Sequence, residues 1–297
     1  MTFPPPGRVS YLSGAKDKRG EEMKHWLITG AGSGLGQATA AAVLGRGDRV
    51  TGTFRDPEAA ADFEALAPGR ATARIADITD HDSVARVVAE TEAATPIDIL
   101  VNNAGQVLEA WVEDAPAAKV RALFEVNLLA PLAFVQAVLP IMRGRGKGRI
   151  LNISSGGGIL GVPGVGLYSA SKFALEGMSE ALAQEVGPLG IAVTIVEPGS
   201  FRTNLLGRNR TGVASSSGDY ERSTGKLRAR IVGGHGAEPG DPARFGQAML
   251  AVADADPAPL RVALGDDAIA MALSKAEAIE RDVTAWREVG SGLGFAD

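Results

Sequence analysis

Short apolar runs of strand length alternate along this chain with longer stretches whose apolar residues recur at helical spacing. His25–Thr29, Arg49–Phe54, Ala71–Ala76, Ile97–Val101, Gly148–Ile153, Ile191–Val196 and Leu260–Leu264 read as strands. Helical stretches fall between them. One is alanine-rich and ends near Leu44; Pro57–Leu66 has proline in its first turn; His81–Ala94 follows Asp80 as a cap. Ala117–Met142, Val165–Val186, Pro242–Ala253 and Asp267–Val289 complete the set. Such alternation predicts an α/β fold: a doubly wound parallel sheet of about seven strands with helices on both faces, in three α/β/α layers. No repeat, linker or composition break interrupts it, so residues 23–297 read as a single domain. Residues 204–235, rich in Gly, Ser and Arg, read as irregular.

Composition narrows the chemistry. The 297 residues are 45% hydrophobic, enough for a core of ordinary size. A net charge of −5 argues against a nucleic-acid face. With no cysteine there are no disulfides, thiolate nucleophiles or cysteine-held metals, and the three histidines lie far apart without ligand spacing, so no metal is expected. No uninterrupted apolar run approaches the roughly 20 residues of a membrane span. Residues 1–22 carry Pro4-Pro5-Pro6 and mixed charge without the apolar segment of a signal peptide. They read as a disordered extension or a start-site artefact, with Met23 expected as the natural start and the cytoplasm as the location.

The first strand runs into Thr29-Gly30-Ala31-Gly32-Ser33-Gly34-Leu35-Gly36, and a helix follows. Strand, glycine turn and helix together suit a dinucleotide pyrophosphate. Gly30 permits the sharp turn, Gly34 lets the backbone approach the diphosphate, and Gly36 allows close helix packing. The helix N-terminus offers free N–H groups, from Ser33 through Leu35, and a positive dipole end. An acidic residue at the end of the second strand would bind the adenosine ribose hydroxyls; here that position is Phe54, and Arg55 follows. A guanidinium pairs with a 2′-phosphate, which favours NADP(H). Asp56, and Ser33 in place of a second basic residue, count the other way, so NAD(H) stays open, as does Arg55 being a solvated loop charge. In Asp77-Ile78, after the third strand, Asp77 is placed to bond the adenine amino group, although a carboxylate leading into a helix would look the same.

Tyr168 and Lys172 stand four residues apart on one predicted helix, and Ser155 lies thirteen residues before the tyrosine, at the C-terminal end of the fifth strand. Phenol, ammonium and hydroxyl make a proton-transfer site for a carbonyl or a carbinol. The lysine is expected to lower the tyrosine pKa and to hold the nicotinamide ribose, while the serine polarises the substrate oxygen. Ser154 is adjacent, but the spacing favours Ser155.

With these residues in place, from Lys24 to the C-terminus the chain resembles the short-chain dehydrogenase/reductase family, in its Rossmann-like single-domain branch with a G-x-x-x-G-x-G turn. Asn102-Asn103-Ala104-Gly105 matches the family's N-N-A-G, and Tyr168-Ser169-Ala170-Ser171-Lys172 its Y-x-A-S-K. Pro198-Gly199 with Thr203 matches P-G-x-x-x-T. The resemblance implies that Asn103, Ala104 and Gly105 steady the sheet beside the cofactor and that Asn127 holds a water linking the lysine to solvent. It also implies that Pro198, Gly199 and Thr203 hold the nicotinamide carboxamide. Asn127, Ser155, Tyr168 and Lys172 would then be the catalytic four. Residues 204–235 would form the substrate loop and lid, and a homodimer or homotetramer would be built through the helices at 117–142 and 166–187.

Gly156–Leu167, with Val107 and Leu108, suggests an apolar pocket for a small ketone, aldehyde or secondary alcohol. The basic residues Arg202, Arg208, Arg210, Arg222, Lys226, Arg228 and Arg230 either attract an anionic group or solvate the loop. The expected activity is NADP(H)-dependent hydride transfer with Tyr168 as acid/base. A non-catalytic dinucleotide-binding regulator would have no need of Tyr168 and Ser155. A nucleotide-sugar epimerase or dehydratase would show G-x-x-G-x-x-G, where this chain has Ser33 at the glycine step.

Overall fold

The computed structural model of the chain describes residues 23–203, 205, 209–232 and 236–295. The expectations for residues 1–22, for Arg208 and for 233–235 lie outside the described residues, as do those for the side chains of Arg228 and Arg230.

Seven strands form one parallel sheet: β1 (His25–Ile28), β2 (Arg49–Phe54), β3 (Ala71–Ile75), β4 (Ile99–Asn102), β6 (Gly148–Ile153), β7 (Ile191–Pro198) and β9 (Arg261–Leu264), in the order β3-β2-β1-β4-β6-β7-β9. All four residues of β1 and of β4 are buried, because helices cover both faces; such strands read as unbroken apolar runs rather than as alternation. Successive side chains still point to opposite faces. Trp26 and Ile28 join the core beneath α1 (Gly34–Arg46), α2 (Pro57–Leu66) and α9 (Pro242–Asp254), together with Val43, Phe63 and Met249. Leu27 joins the opposite core, beneath α3 (His81–Ala94), α5 (Ala130–Arg145) and α7 (Gly166–Val186), with Val87, Phe134 and Leu182. The chain order reverses between β1 and β4, and the crevice beyond their C-terminal ends is where such sheets bind ligands.

Four features differ from the sequence expectations. The helix predicted over Ala117–Met142 is not uniform: α4 (Ala117–Phe124) passes through a π-helical turn, Glu125–Leu129, into α5. Pro131 has no N–H to offer the carbonyl four residues earlier, that of Asn127, and the Ala130 N–H reaches back five residues to Glu125. Secondly, 204–235 is not irregular throughout. Arg210–Gly212 (β8) pairs in parallel with Val107–Glu109 (β5) as a separate ribbon, and Gly218–Val232 forms α8. The Ser217 hydroxyl accepts from the Asp219 N–H at 3.1 Å, and acidic Asp219 and Glu221 suit the first turn of α8. Thirdly, the last helix ends earlier than expected: α10 covers Asp266–Ala285, and a separate turn, α11, covers Arg287–Gly290. Finally, the rod Ala117–Arg145 is long and apolar enough, by length and composition, to cross a membrane. Counting uninterrupted runs missed it because Asn127 and Gln136 break the apolar sequence. In the fold it packs in the helical layer, with Phe134, Val135 and Val138 against the sheet. A last short helix, α6 (Gly156–Ile159), follows β6.

Candidate active site

Gly30 and Gly34 have φ of +67° and +57°, which side-chain-bearing residues rarely adopt, so the turn after β1 needs glycine at both. A Cβ on Gly36 would strike Asn103 Nδ2 and the Gly30 carbonyl, so this glycine packs against the turn and the segment after β4. Thr29 ties the pieces together. Its hydroxyl accepts from the N–H groups of Asn103 (2.9 Å) and Ala104 (3.0 Å), and Asn103 Nδ2 donates to the Thr29 carbonyl at 2.9 Å. From β2, Thr53 Oγ1 accepts from the Gly30 N–H at 3.0 Å. Sequence reasoning did not assign Thr29 or Thr53 a place in the site; their position at strand ends beside the glycine turn was the available signal.

Ser33 stands at the N-cap of α1 but makes no side-chain cap bond, and the first turn holds no acidic residue. Donors at Gly34, Leu35 and Gly36 therefore face the crevice without a side-chain acceptor, which fits a pyrophosphate. Thr203 lies over this turn, its Cβ 3.4 Å from where a Cβ of Gly34 would be. Phe54 is buried under Gly32 and packs on Phe63, with ring centroids 5.0 Å apart. Arg55 is exposed at the strand end, whereas the carboxylate of Asp56 is taken up as the cap of α2, accepting from the Glu58 N–H at 3.0 Å. Asp77 accepts from the N–H and hydroxyl of Thr79, which hold its carboxyl below the usual range; nearby Arg55 adds to this. Ile78 packs at the edge of the core. Pro198 ends β7, and the Gly199 N–H donates to the Leu264 carbonyl at 2.9 Å. A side chain at Gly199 would collide with Asp267, whose carboxylate accepts from the Ser200 N–H at 2.7 Å.

At the other end of the crevice, β6 delivers Ser154 and Ser155, and α7 delivers Tyr168 and Lys172. Ser155 caps α6, accepting from the Gly157 N–H at 3.0 Å, and the space beside the Gly157 α-carbon lies 3.3 Å from the Tyr168 ring and 3.5 Å from Ser155 Oγ, so the two side chains border one small gap. Ser154 points elsewhere, donating to Glu176 Oε1 at 2.5 Å. The two adjacent serines are thus divided by strand alternation. Asn127, fully buried in the π-turn, accepts from the Gln106 N–H at 2.9 Å and donates to the Gln106 carbonyl and to Ser171 Oγ. The space beside the Gly105 α-carbon lies 3.5 Å from Asn127 Oδ1 and 3.6 Å from Lys172 Nζ, so these two groups border one small gap.

The electrostatics depart from expectation. Burial pushes the Tyr168 phenol up, with only the Ser155 hydroxyl opposing it, so the predicted lowering by lysine is absent. Lys172 Nζ instead donates to the Ile153 carbonyl at 2.8 Å. Burial lowers its pKa from 10.5 to about 8, against the pull of Glu176. Glu176, not singled out from sequence, is itself held by Arg261 Nη1 at 2.5 Å, a guanidinium that also bonds Glu180 and Glu197.

Beyond the phenol the walls are apolar. Tyr168 belongs to a cluster with Val107, Leu108, Ala110, Leu123 and Val165, edged by Leu205 and Val213. Trp111, unremarked in the sequence, stacks on Tyr220 of α8 at 5.3 Å, and the Tyr220 hydroxyl donates to Glu113 at 2.6 Å. Three of the loop cations have local partners: Arg210 pairs with Glu109, Arg222 with Asp219, and Arg202 donates to the Glu238 carbonyl.

Comparison with known proteins agrees with this geometry. A short chain dehydrogenase family model matches residues 24–214. "Oxidoreductase BOA17" of Botryotinia fuckeliana (strain B05.10) is 35% identical over 268 residues, covering 90% of this chain and 97% of that protein. The crystal structure of a short-chain dehydrogenase from Streptomyces avermitilis superposes with a TM-score of 0.86 at 41% identity, covering 92% and 99% of the two chains. A putative NAD(P)-dependent gluconate 5-dehydrogenase from Beutenbergia cavernae, with bound NADP at low occupancy, gives a TM-score of 0.65 at 30% identity over 81% and 94%.

Proposed function

This chain belongs to the short chain dehydrogenase family and is an oxidoreductase acting on CH–OH and C=O groups; from that premise we propose that it reduces an apolar ketone or aldehyde with NADPH, using Tyr168 as the acid. A bound nicotinamide dinucleotide supplies the hydride for the carbonyl carbon. The chain's own residues manage the proton and the geometry. Ser155 and Tyr168 present two hydroxyls to one substrate oxygen, and a phenol raised by burial keeps its proton at neutral pH, ready to donate it. Lys172, a turn along α7 and buried, is held by the Ile153 carbonyl and borders the gap beside Gly105, where it would hold the nicotinamide ribose. Asn127 holds the segment after β4 through Gln106 and borders the gap by which Lys172 exchanges protons with solvent.

The observation that carries this reading is the gap beside Gly157 bordered by both Ser155 Oγ and the Tyr168 ring, one helical turn from a buried Lys172, in a fold whose glycine turn offers uncapped donors. Dinucleotide binding is supported by that turn and by NADP in the Beutenbergia cavernae protein. The preference for NADPH rests on Arg55, exposed where an acidic residue would read ribose, while Asp56 is occupied as a cap. Apolar substrate is supported by the Val107–Val165 cluster around the phenol. The test is fluorescence titration of the purified chain with NADPH and NADH, then a screen of carbonyls and alcohols. A clear NADH preference refutes the Arg55 argument, and a Tyr168→Phe variant with unchanged turnover ends the mechanism.

A further inference from the structure

The start of α10 is fixed to the domain: Ala268 is fully buried, Met271 lies against Gly156, and Asp267 holds the Ser200 N–H. From Ile279 onward every residue up to Phe295 is exposed, so the helix runs clear of the fold. A detached surface helix would be polar all round, yet this one carries Ile279 and Val283 at 52% and 66% exposure, following Ile269 at 45%, and Trp286 at its C-cap, whose N–H still reaches back to the Asp282 carbonyl, is 68% exposed.

Their spacing is regular. Ile269, Ala272, Ala276, Ile279, Val283 and Trp286 fall alternately three and four residues apart, the seam of a heptad repeat. Lys275 and Asp282 flank the seam on one side, and Glu280 and Arg287 on the other. In a parallel pair each flanking residue of the first kind meets the flanking residue five positions further on in its neighbour. Lys275 then meets Glu280 of the second copy, of opposite sign, and where the path continues into α11, Asp282 meets Arg287 of the second copy, again of opposite sign.

We propose that this face of α10 pairs, parallel and in register, with α10 of a second copy of the chain. Lipid fits the helix poorly. From Asp266 to Gly290, α10 and the turn α11 together have six acidic residues against three basic ones, whereas helices that lie on membranes are rich in Lys and Arg. The seam is shorter than the three to four heptads that mark a free coiled coil. Here the helix base is already ordered by the domain, which lowers the cost of association. The contact is separate from the two long helices implied by family resemblance as an oligomer face, and it does not depend on the catalytic reading.

The chain lacks cysteine, so a single introduced thiol reports on this contact alone. Full-length Ile279→Cys under mild oxidation should collect in a disulfide-linked dimer, whereas Glu277→Cys, off the seam, should not. Sedimentation of Ile279→Glu should show half the wild-type mass with an unchanged circular dichroism melt. Lys275→Glu should weaken association, and adding Glu280→Lys should restore it. The proposal is overturned if Ile279→Cys fails to link, or if the mass of Ile279→Glu equals that of wild type. It is equally overturned if wild type, but not Ile279→Glu, co-sediments with phosphatidylcholine/phosphatidylglycerol vesicles.

Discussion

The crevice has one wall made of backbone and one made of side chains. Around the glycine turn, side chains of Thr29, Thr53 and Asn103 bond main-chain groups and so knit the ends of β1, β2 and β4 together, leaving the first-turn N–H groups of α1 without a side-chain cap. Around Val107, Trp111 and Tyr220 the surface is apolar side chains on a two-stranded ribbon and α8, joined by one aromatic stack and surface ion pairs. A backbone wall changes only if hydrogen bonds break. A side-chain wall can be re-lined without disturbing the sheet. On the proposed reading, cofactor geometry would sit in the part of the fold least free to vary, and substrate choice in the part most free to.

The sharpest test of that division lies between the two walls. Tyr168→Phe removes the proposed proton donor while keeping the ring that packs with Val107 and Val165. Turnover should fall about 10²–10⁴-fold in steady-state kinetics, with dinucleotide affinity in fluorescence titration nearly unchanged. Gly36→Ala drives a methyl into Asn103 and the Gly30 carbonyl. It should cost about 1–3 kcal/mol in a denaturant melt and abolish measurable dinucleotide binding. Gly212→Ala, on the two-stranded ribbon where a Cβ meets nothing within 4 Å, should stay within about 0.5 kcal/mol. If both substitutions cost the same, the two walls do not differ.

Arg55→Ala should weaken NADPH about tenfold, roughly 1.4 kcal/mol, and leave NADH untouched. The pH profile separates the buried pair. A base with a lowered pKa keeps its proton below that value and loses it above, so Lys172 is charged below about 8. The phenol, pushed up by burial, stays protonated through the same range. Reductive kcat/KM should be level at lower pH and decline above about 8, and a Glu176→Gln variant should move the decline to lower pH. The smallest effect is expected on the side-chain wall. Trp111→Ala loses a stack worth about 0.5–1.5 kcal/mol, and should raise KM for apolar ketones about three- to tenfold with kcat little altered.

The sheet and its helices were legible because their signals are local. Parallel strands buried on both faces are unbroken apolar runs, and helix faces repeat every three to four residues, so β1, β2, β6 and α3 stand where periodicity put them. The glycine turn, the N-N-A-G segment and the Tyr168–Lys172 pair were legible for the same reason: each lies within one turn or one helix face. What tertiary structure alone decided involves groups far apart in sequence or the medium around them. Strand alternation sends Ser155 to Tyr168 and Ser154 to Glu176, a partner 22 residues away. The helicity of α8, in a Gly- and Ser-rich stretch, accompanies the stacking of Tyr220 on Trp111, and β8 exists only beside β5. The proton affinities of Tyr168 and Lys172 follow from desolvation, which depends on how much protein closes over them and is written in no short segment of the chain.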